Sequence, residues 1–132
     1  MKPLSNVFKG LRIGYAMTGS FCTFKKSFEQ AEILTEYGAE LIPIMSENAA
    51  SISTRFGTAD ENTERLRKIS GKEIITTIAD AEPIGPKDLT DIMVVAPCTS
   101  NTAAKLANSI TDTAVTMAVK SHLRRGNPVV LA

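Results

Sequence analysis

The fold of this 132-residue chain is decided by one stretch, Ile92-Met93-Val94-Val95-Ala96-Pro97-Cys98-Thr99-Ser100-Asn101-Thr102. Its first five residues are apolar and rich in β-branched side chains, which is typical of a strand buried on both faces of a parallel sheet. Pro97 then interrupts the strand, and small polar residues lead into an alanine-rich segment ending near Leu106 that predicts a helix. A buried strand, a polar turn and a helix in this order indicate a parallel α/β protein.

The same pattern occurs on both sides of this stretch. Phe24, Phe28, Ala31 and Leu34 recur at helical spacing, and further helices are predicted at 60–69 and 115–123, the last one capped by Thr111 or Asp112. Strands are predicted at 12–17, 39–45, 74–78, 92–96 and 128–132. We therefore predict a single α/β domain over residues 1–132, a three-layer, open, doubly wound and mostly parallel sheet with helices on both faces. Because the last strand ends the sequence, we expect a further carboxyl-terminal portion to complete the sheet.

Composition excludes several classes of protein. Fifteen basic and fourteen acidic residues leave a net charge of +1, which gives no basic field for nucleic acid. The longest apolar run, 92–96, is far below the roughly 20 residues that cross a bilayer, and the amino terminus lacks a secretion signal, so we expect a cytoplasmic protein. Cys22, Cys98 and the single His122 provide neither a disulfide spacing nor a zinc-ligand set.

Three polar segments follow predicted strands at their carboxyl ends: Thr18-Gly19-Ser20, Ser46-Glu47-Asn48 and Thr99–Thr102. In an open parallel sheet these ends share one edge, where ligands bind. Glycine permits close backbone approach, hydroxyls donate hydrogen bonds, and helix amino termini attract anions. The three segments predict a site for a phosphate or a phosphorylated cofactor, although each segment alone is also explained by helix capping and turn formation.

The kind of phosphate ligand is narrowed by two missing motifs. Gly14 and Gly19 precede Ser20 in a G-x-x-x-x-G-S arrangement, but the lysine that a P-loop needs is absent. The three glycines of a dinucleotide-binding turn are also absent after the first strand. A mononucleotide such as FMN fits better.

Three parts of the sequence, Thr18-Gly19-Ser20, the segment 96–107 and Asp112, resemble the signature of the homo-oligomeric flavin-containing cysteine decarboxylase superfamily. That family has TGS after its first strand, then P-x-S-A-N-T-x-x-K with a later Asp. The resemblance implies a Rossmann-like flavoprotein fold, a homo-oligomer and bound FMN. The cofactor-binding residues that it implies are Thr18, Gly19, Ser20, Ser46, Thr99, Ser100, Asn101 and Thr102.

Two further segments, Thr54-Arg55-Phe56-Gly57 and 81–87, are similar to an oxidoreductase branch of this superfamily. That likeness implies oxidation of a small dicarboxylate, a partner subunit that binds NADP, and the cytoplasm of the mother cell of a spore-forming bacterium. Arg55 and Lys87 are the candidate substrate-binding cations, because cationic side chains pair with carboxylates. Two alternatives stay open: a stand-alone FMN-dependent decarboxylase or flavin prenyltransferase, and a non-catalytic binding protein that organises the partner.

The sequence departs from the superfamily pattern at two places. Ser100 directly precedes Asn101 where the family has an intervening alanine, and the region 79–91 lacks the histidine that the cysteine-decarboxylating members use. His122 lies at helical spacing among apolar residues and is predicted to pack there, and both cysteines are interpreted as packing residues. No catalytic residue is assigned from the sequence.

Overall fold

A computed structural model describes residues 6–132 and contains one four-stranded sheet. Its strands are β1 Arg12–Met17, β2 Glu40–Met45, β3 Ile92–Val95 and β4 Val129–Leu131. All neighbouring pairs are parallel, in the spatial order β2-β1-β3-β4. The register pairs the last residues of the strands with one another, Met17 with Met45 and Val95 with Leu131, so the carboxyl ends share one edge. The predicted parallel α/β architecture is confirmed.

Helices cover both faces of the sheet, which makes the predicted three layers. They are α1 Phe24–Glu36, α2 Glu47–Ser51, α3 Ala59–Ser70, α4 Ile78–Ala81, α5 Ser100–Ala107 and α6 Ala114–Leu123, with short 3₁₀ turns at Phe21–Thr23 and Glu82–Ile84. One core cluster packs Phe28 of α1 and Leu66 of α3 against β1 and β2. A second cluster packs α6 and the turn at 82–84 against Met93 and Val95 from the opposite face.

Three local predictions are wrong in the structure. Cys22 is exposed at the turn before α1 instead of packed, and the other two concern secondary structure. The segment 74–78 is not a full strand, because only Ile75 pairs with the sheet, through a parallel bridge to Ile44, and Ile78 already begins α4. Thr77 stops the extended conformation, since its side chain accepts the N–H of Asp80 at 3.1 Å and caps that helix. Helix α6 is capped by Thr113 rather than by Thr111 or Asp112.

The amino edge of the sheet is fixed by an ion pair and a buried imidazole. Arg12 donates to both carboxylate oxygens of Asp91, at 3.1 and 2.8 Å, and this pairing lowers the pKa of Asp91 below its usual value. His122 is buried, with Nδ1 2.6 Å from the Thr90 hydroxyl and Nε2 2.8 Å from the carbonyl of Pro128. The histidine therefore joins α6 to the loops that enter β3 and β4, at the edge opposite the predicted phosphate site.

Residues 6–132 contain neither a membrane-spanning helix nor a cluster of metal-ligating side chains. No helix there is long and apolar enough to cross a membrane. The same residues contain no group of three or more His, Cys, Asp or Glu side chains placed to hold a metal ion.

Candidate functional site

The connectivity of the sheet places a crevice between β1 and β3. From β1 the chain crosses to β2 on one side, and β3 then pairs with β1 on the other side. Connections that leave in opposite directions open a gap at the carboxyl ends of the two strands, which is where open α/β sheets bind ligands. Thr18 follows β1 and Pro97 follows β3 at this edge.

A cavity of about 380 Å³ occupies this crevice, and we call it the rim cavity. Its volume lies within the usual range of small-molecule sites. The residues that line it are Thr18, Gly19, Phe21, Ser46, Glu47, Asn48, Ile52, Thr99, Asn101, Thr102, Lys105 and Thr113. All three polar segments noted in the sequence contribute to it.

Most of the predicted cofactor-binding residues meet in the rim cavity. The six that line it are Thr18, Gly19, Ser46, Thr99, Asn101 and Thr102. Ser100 is exposed at the first position of α5 beside them, whereas Ser20 lines a neighbouring groove. The structure therefore brings together the segments that follow β1, β2 and β3, with Ser20 turned toward a different surface.

Thr18 is held by protein atoms on both sides of its hydroxyl. The side chain is 1% exposed, and its Oγ1 donates to the carbonyl of Pro97 at 2.7 Å while accepting the N–H of Thr99 at 2.9 Å. Its own N–H also donates to the Pro97 carbonyl, at 3.1 Å. The hydroxyl therefore positions the turn between β3 and α5, and the ligand-facing groups of the rim lie elsewhere.

We predict that Thr18→Val reduces the affinity for FMN, the cofactor that the sequence resemblance implies, about tenfold, because an unpaired Thr99 N–H costs roughly 1–3 kcal/mol and loosens the start of α5. Thr18→Ser keeps the hydroxyl and should recover most of the affinity. Fluorescence titration with FMN measures both variants, and thermal melts check that they are folded. Equal losses in the valine and serine variants would contradict this positioning role.

The amino terminus of α5 has the chemistry of a phosphate site. Thr99 caps the helix by accepting the N–H of Thr102 at 3.1 Å, and its hydroxyl donates to Thr102 Oγ1 at 2.9 Å. Within residues 6–132, the N–H groups of Ser100, Asn101 and Gly19 have no hydrogen-bond acceptor. Free N–H groups at a helix start carry partial positive charge, so an anion fits between α5 and the turn after β1.

The amino terminus of α6 also reaches the rim cavity, and three N–H groups at its start already have acceptors, whereas the Val115 N–H has none within residues 6–132. Thr113 and Thr116 cap each other reciprocally, through N–H to hydroxyl bonds of 3.0 and 3.1 Å. The next N–H, of Ala114, donates to Oε1 of Glu47 at 3.2 Å. A carboxylate from the turn after β2 therefore covers the start of α6.

Lys105 is the only cation among the described residues that line the rim cavity. Its Nζ lies 3.0 Å from Oδ1 of Asp112, so the lysine and the later aspartate of the superfamily signature form an ion pair. Lys105 is therefore held beside the cavity by Asp112, and it adds positive charge on the α5 side.

The two candidate substrate cations are not brought together. Arg55 stacks on the ring of Phe56, 4.9 Å from its centroid, in a tight turn at 54–57 that follows the cavity residue Ile52. Lys87 lies in the turn before Asp88, whose carbonyl accepts a hydrogen bond from Arg12 at the start of β1. Lys87 therefore stands at the amino edge of the sheet, a strand length away from the rim cavity.

A second groove, of about 580 Å³, lies between α1 and β3. Cys98 lines it, and partial burial raises the pKa of this thiol, which disfavours a reactive thiolate at neutral pH. Tyr15 also faces it, but its hydroxyl donates to the carbonyl of Ser27 at 2.7 Å, and burial raises its pKa. Neither group is poised for acid-base chemistry.

The parallel sheet and the phosphate-type rim are typical of an α/β protein that binds a phosphorylated ligand. The chain belongs to the flavoprotein family, whose family model matches residues 2–132. It is 46% identical over 123 residues to the B subunit of dipicolinate synthase from Bacillus subtilis strain 168, covering 93% of this chain and 62% of that protein. The crystal structure of the corresponding B subunit from Bacillus halodurans superposes with a TM-score of 0.82 at 39% identity, over 94% of this chain and 64% of that one.

A further similar structure is DmrB of Burkholderia xenovorans in complex with FMN, described as a cubic protein cage for redox transfer. It has a TM-score of 0.72 and 28% identity, over 99% of this chain and 66% of that one. The chain thus spans slightly under two thirds of the length of these relatives.

Outside the three polar segments, four residues that line the rim cavity received no cofactor role from the sequence, namely Phe21, Ile52, Lys105 and Thr113. Lys105 was present in the sequence as the lysine of the superfamily signature. Thr113 carried a recognisable signal, because Thr116 stands three residues later at the spacing of a capping box. Phe21 and Ile52 carried none, since an apolar side chain after a turn does not show from sequence whether it faces the core or a ligand.

Proposed function

We propose that this chain is part of a dipicolinate synthase B subunit, which contributes to the oxidation of dihydrodipicolinate to dipicolinate during sporulation. The observation that carries the proposal is the 46% identity to the Bacillus subtilis protein over 93% of the chain. The family match and the phosphate-type rim also support the proposal, because both favour a flavin cofactor.

The cofactor that fits the rim cavity is FMN, which when bound supplies two-electron redox chemistry. Its phosphate would be held by the free N–H groups of Gly19, Ser100 and Asn101, with the Asn101 side chain beside them. Thr18, Ser46 and Thr99 keep these groups in place, because their hydroxyls already bond the backbone of the three turns. Thr102 contributes through its bond with Thr99.

The proposed reaction removes two electrons and two protons from a dihydropyridine ring and leaves an aromatic dicarboxylate. We assign NADP, as the electron acceptor, to the partner A subunit of dipicolinate synthase, because this chain lacks the glycine pattern of a dinucleotide site. Arg55 is the proposed carboxylate-binding cation, since it stands in the turn that follows the cavity residue Ile52. Lys87 would reach a substrate only through another protomer.

We further propose a homo-oligomer in the cytoplasm of the mother cell. The assembly is supported by DmrB, which is described as a cubic cage. In residues 6–132, His122 is committed to Thr90 and Pro128, so a histidine-dependent decarboxylase receives no support from the site.

Reconstitution tests the proposal. Full-length protein is mixed with the A subunit, dihydrodipicolinate and NADP, and dipicolinate is measured for each protein separately and for the two together. We expect activity only with both, and visible flavin absorbance in the purified protein. Undiminished activity without this protein would overturn the proposal, and full activity without any bound flavin would identify a non-catalytic binding role.

A further inference from the structure

Helices α5 and α6 both begin at the rim cavity, but the N–H groups in their first turns differ in whether they have hydrogen-bond acceptors. The first turn of α5 keeps the N–H groups of Ser100 and Asn101 free of acceptors within residues 6–132. In the first turn of α6, the capping box uses the N–H groups of Thr113 and Thr116, and Glu47 takes that of Ala114. The second N–H of each helix, of Asn101 in α5 and of Val115 in α6, is free within residues 6–132, so the two ends differ at the first N–H, which only in α6 is bonded to a carboxylate.

The charged residues that line the cavity also differ between the α5 side and the α6 side. Lys105 lies on the α5 side, whereas Glu47 is the only acidic residue among the described residues that line the cavity. A phosphate at α5 is therefore attracted mainly by the free N–H groups, and less strongly by Lys105, whose charge is paired with Asp112. A second phosphate near α6 meets a carboxylate that repels it and that would have to leave the Ala114 N–H to make room.

We infer that Glu47 is a specificity-determining residue that limits the rim cavity to ligands with a single phosphate. This inference rests on the proposed FMN site, and it predicts that linked diphosphates, such as that of FAD, bind there less tightly than a single phosphate. Discrimination of this kind comes from an unfavourable contact with the wrong ligand as much as from contacts with the right one. Because Glu47 is exposed to water, its repulsion is moderate.

The test compares FMN and FAD affinities of the full-length protein by flavin fluorescence quenching, in the wild type, Glu47→Gln and Glu73→Gln. Glutamine removes the charge and keeps an oxygen that can accept the Ala114 N–H. Glu73→Gln is the control, because it removes the same charge at the amino edge of the sheet, away from the rim cavity. Glu73 is next to Lys72, which pairs with Glu40 at the start of β2, and Glu73 itself pairs with Arg67. Thermal melts confirm that each variant is folded.

We expect the wild type to prefer FMN to FAD, and Glu47→Gln to bind both flavins more tightly, FAD by the larger factor. The dissociation constant for FAD divided by that for FMN should fall about tenfold in this variant and stay unchanged in Glu73→Gln. An unchanged ratio in a Glu47→Gln variant that binds FMN would overturn this inference alone. A wild type that binds neither flavin would overturn the proposed function together with it.

Discussion

Replacing Gly85 by alanine should lower the free energy of unfolding by about 3 kcal/mol, the upper range for an overpacked core position. A Cβ built on Gly85 would lie 2.2 Å from the carbonyl oxygen of Ser121 in α6, closer than any tolerated contact. The neighbour is backbone, so it cannot rotate away. The N–H of Gly85 also donates to the Ser121 hydroxyl at 2.7 Å, which ties the two segments together.

A thermal melt should show the change as a fall in melting temperature of roughly 10 °C. The matched control is Gly19→Ala, because a Cβ at Gly19 meets nothing closer than 3.6 Å and should leave the melting temperature unchanged. Adding Ser121→Ala to Gly85→Ala should not restore stability, since the clash is with a backbone oxygen. Recovery in that double variant would show that the hydroxyl, not the backbone, sets the close approach.

This contact gives a structural reason for the segment 81–87. In sequence this segment is similar to an oxidoreductase branch of the superfamily, and it ends in Lys87, a candidate substrate-binding cation. In the structure Ala81 and Ile84 are buried against α6, and Gly85 allows the close approach of Ser121. The glycine in this segment is therefore explained by packing, and the placement of Lys87 follows from it.

The location of Lys87 also shows what sequence patterns leave undetermined. The segment 74–78 leaves the chain near the carboxyl edge, and the pattern after it does not show how soon the chain leaves that edge. In the structure α4 and the turn at 82–84 carry it back along the sheet, so Lys87, shortly before β3, stands at the amino edge. Five β-branched residues predict an extended conformation, but they do not show that Thr77 will cap a helix.

The rim itself was predictable because it depends on local features: where buried strands stop and which small polar residues follow. The hydrogen bonds between the segments of the rim were not predictable from the sequence. Thr18 and Pro97 are 79 residues apart, and their contact exists only because β1 and β3 are adjacent in register. The bond from Ala114 to Glu47 likewise joins residues 67 apart. A prediction from single segments therefore located most of the residues that line the rim cavity and counted Thr18 among the ligand contacts, whereas the structure uses that hydroxyl for support.

Gly19→Ala is the second variant with a large expected effect, and it separates ligand binding from folding. The backbone at Gly19 has no positive φ angle, and an added methyl would lie 3.6 Å from the Phe21 ring and 3.7 Å from Asn48 Cβ, both ordinary contacts. The folded protein therefore accommodates alanine, and the reduced entropy of the unfolded chain should keep its stability equal or slightly higher.

The same methyl would enter the rim cavity, since Gly19, Phe21 and Asn48 all line it. A phosphate that approaches the Gly19 N–H closely loses that approach, so FMN affinity should fall between about tenfold and 100-fold, which corresponds to roughly 1.4–2.8 kcal/mol. Fluorescence titration with FMN measures the loss, and Gly85→Ala serves as the converse control, because it should lower stability while the protein that remains folded still binds. Unchanged FMN affinity in a stable Gly19→Ala protein would move the phosphate away from the turn after β1 and leave α5 as its only anchor.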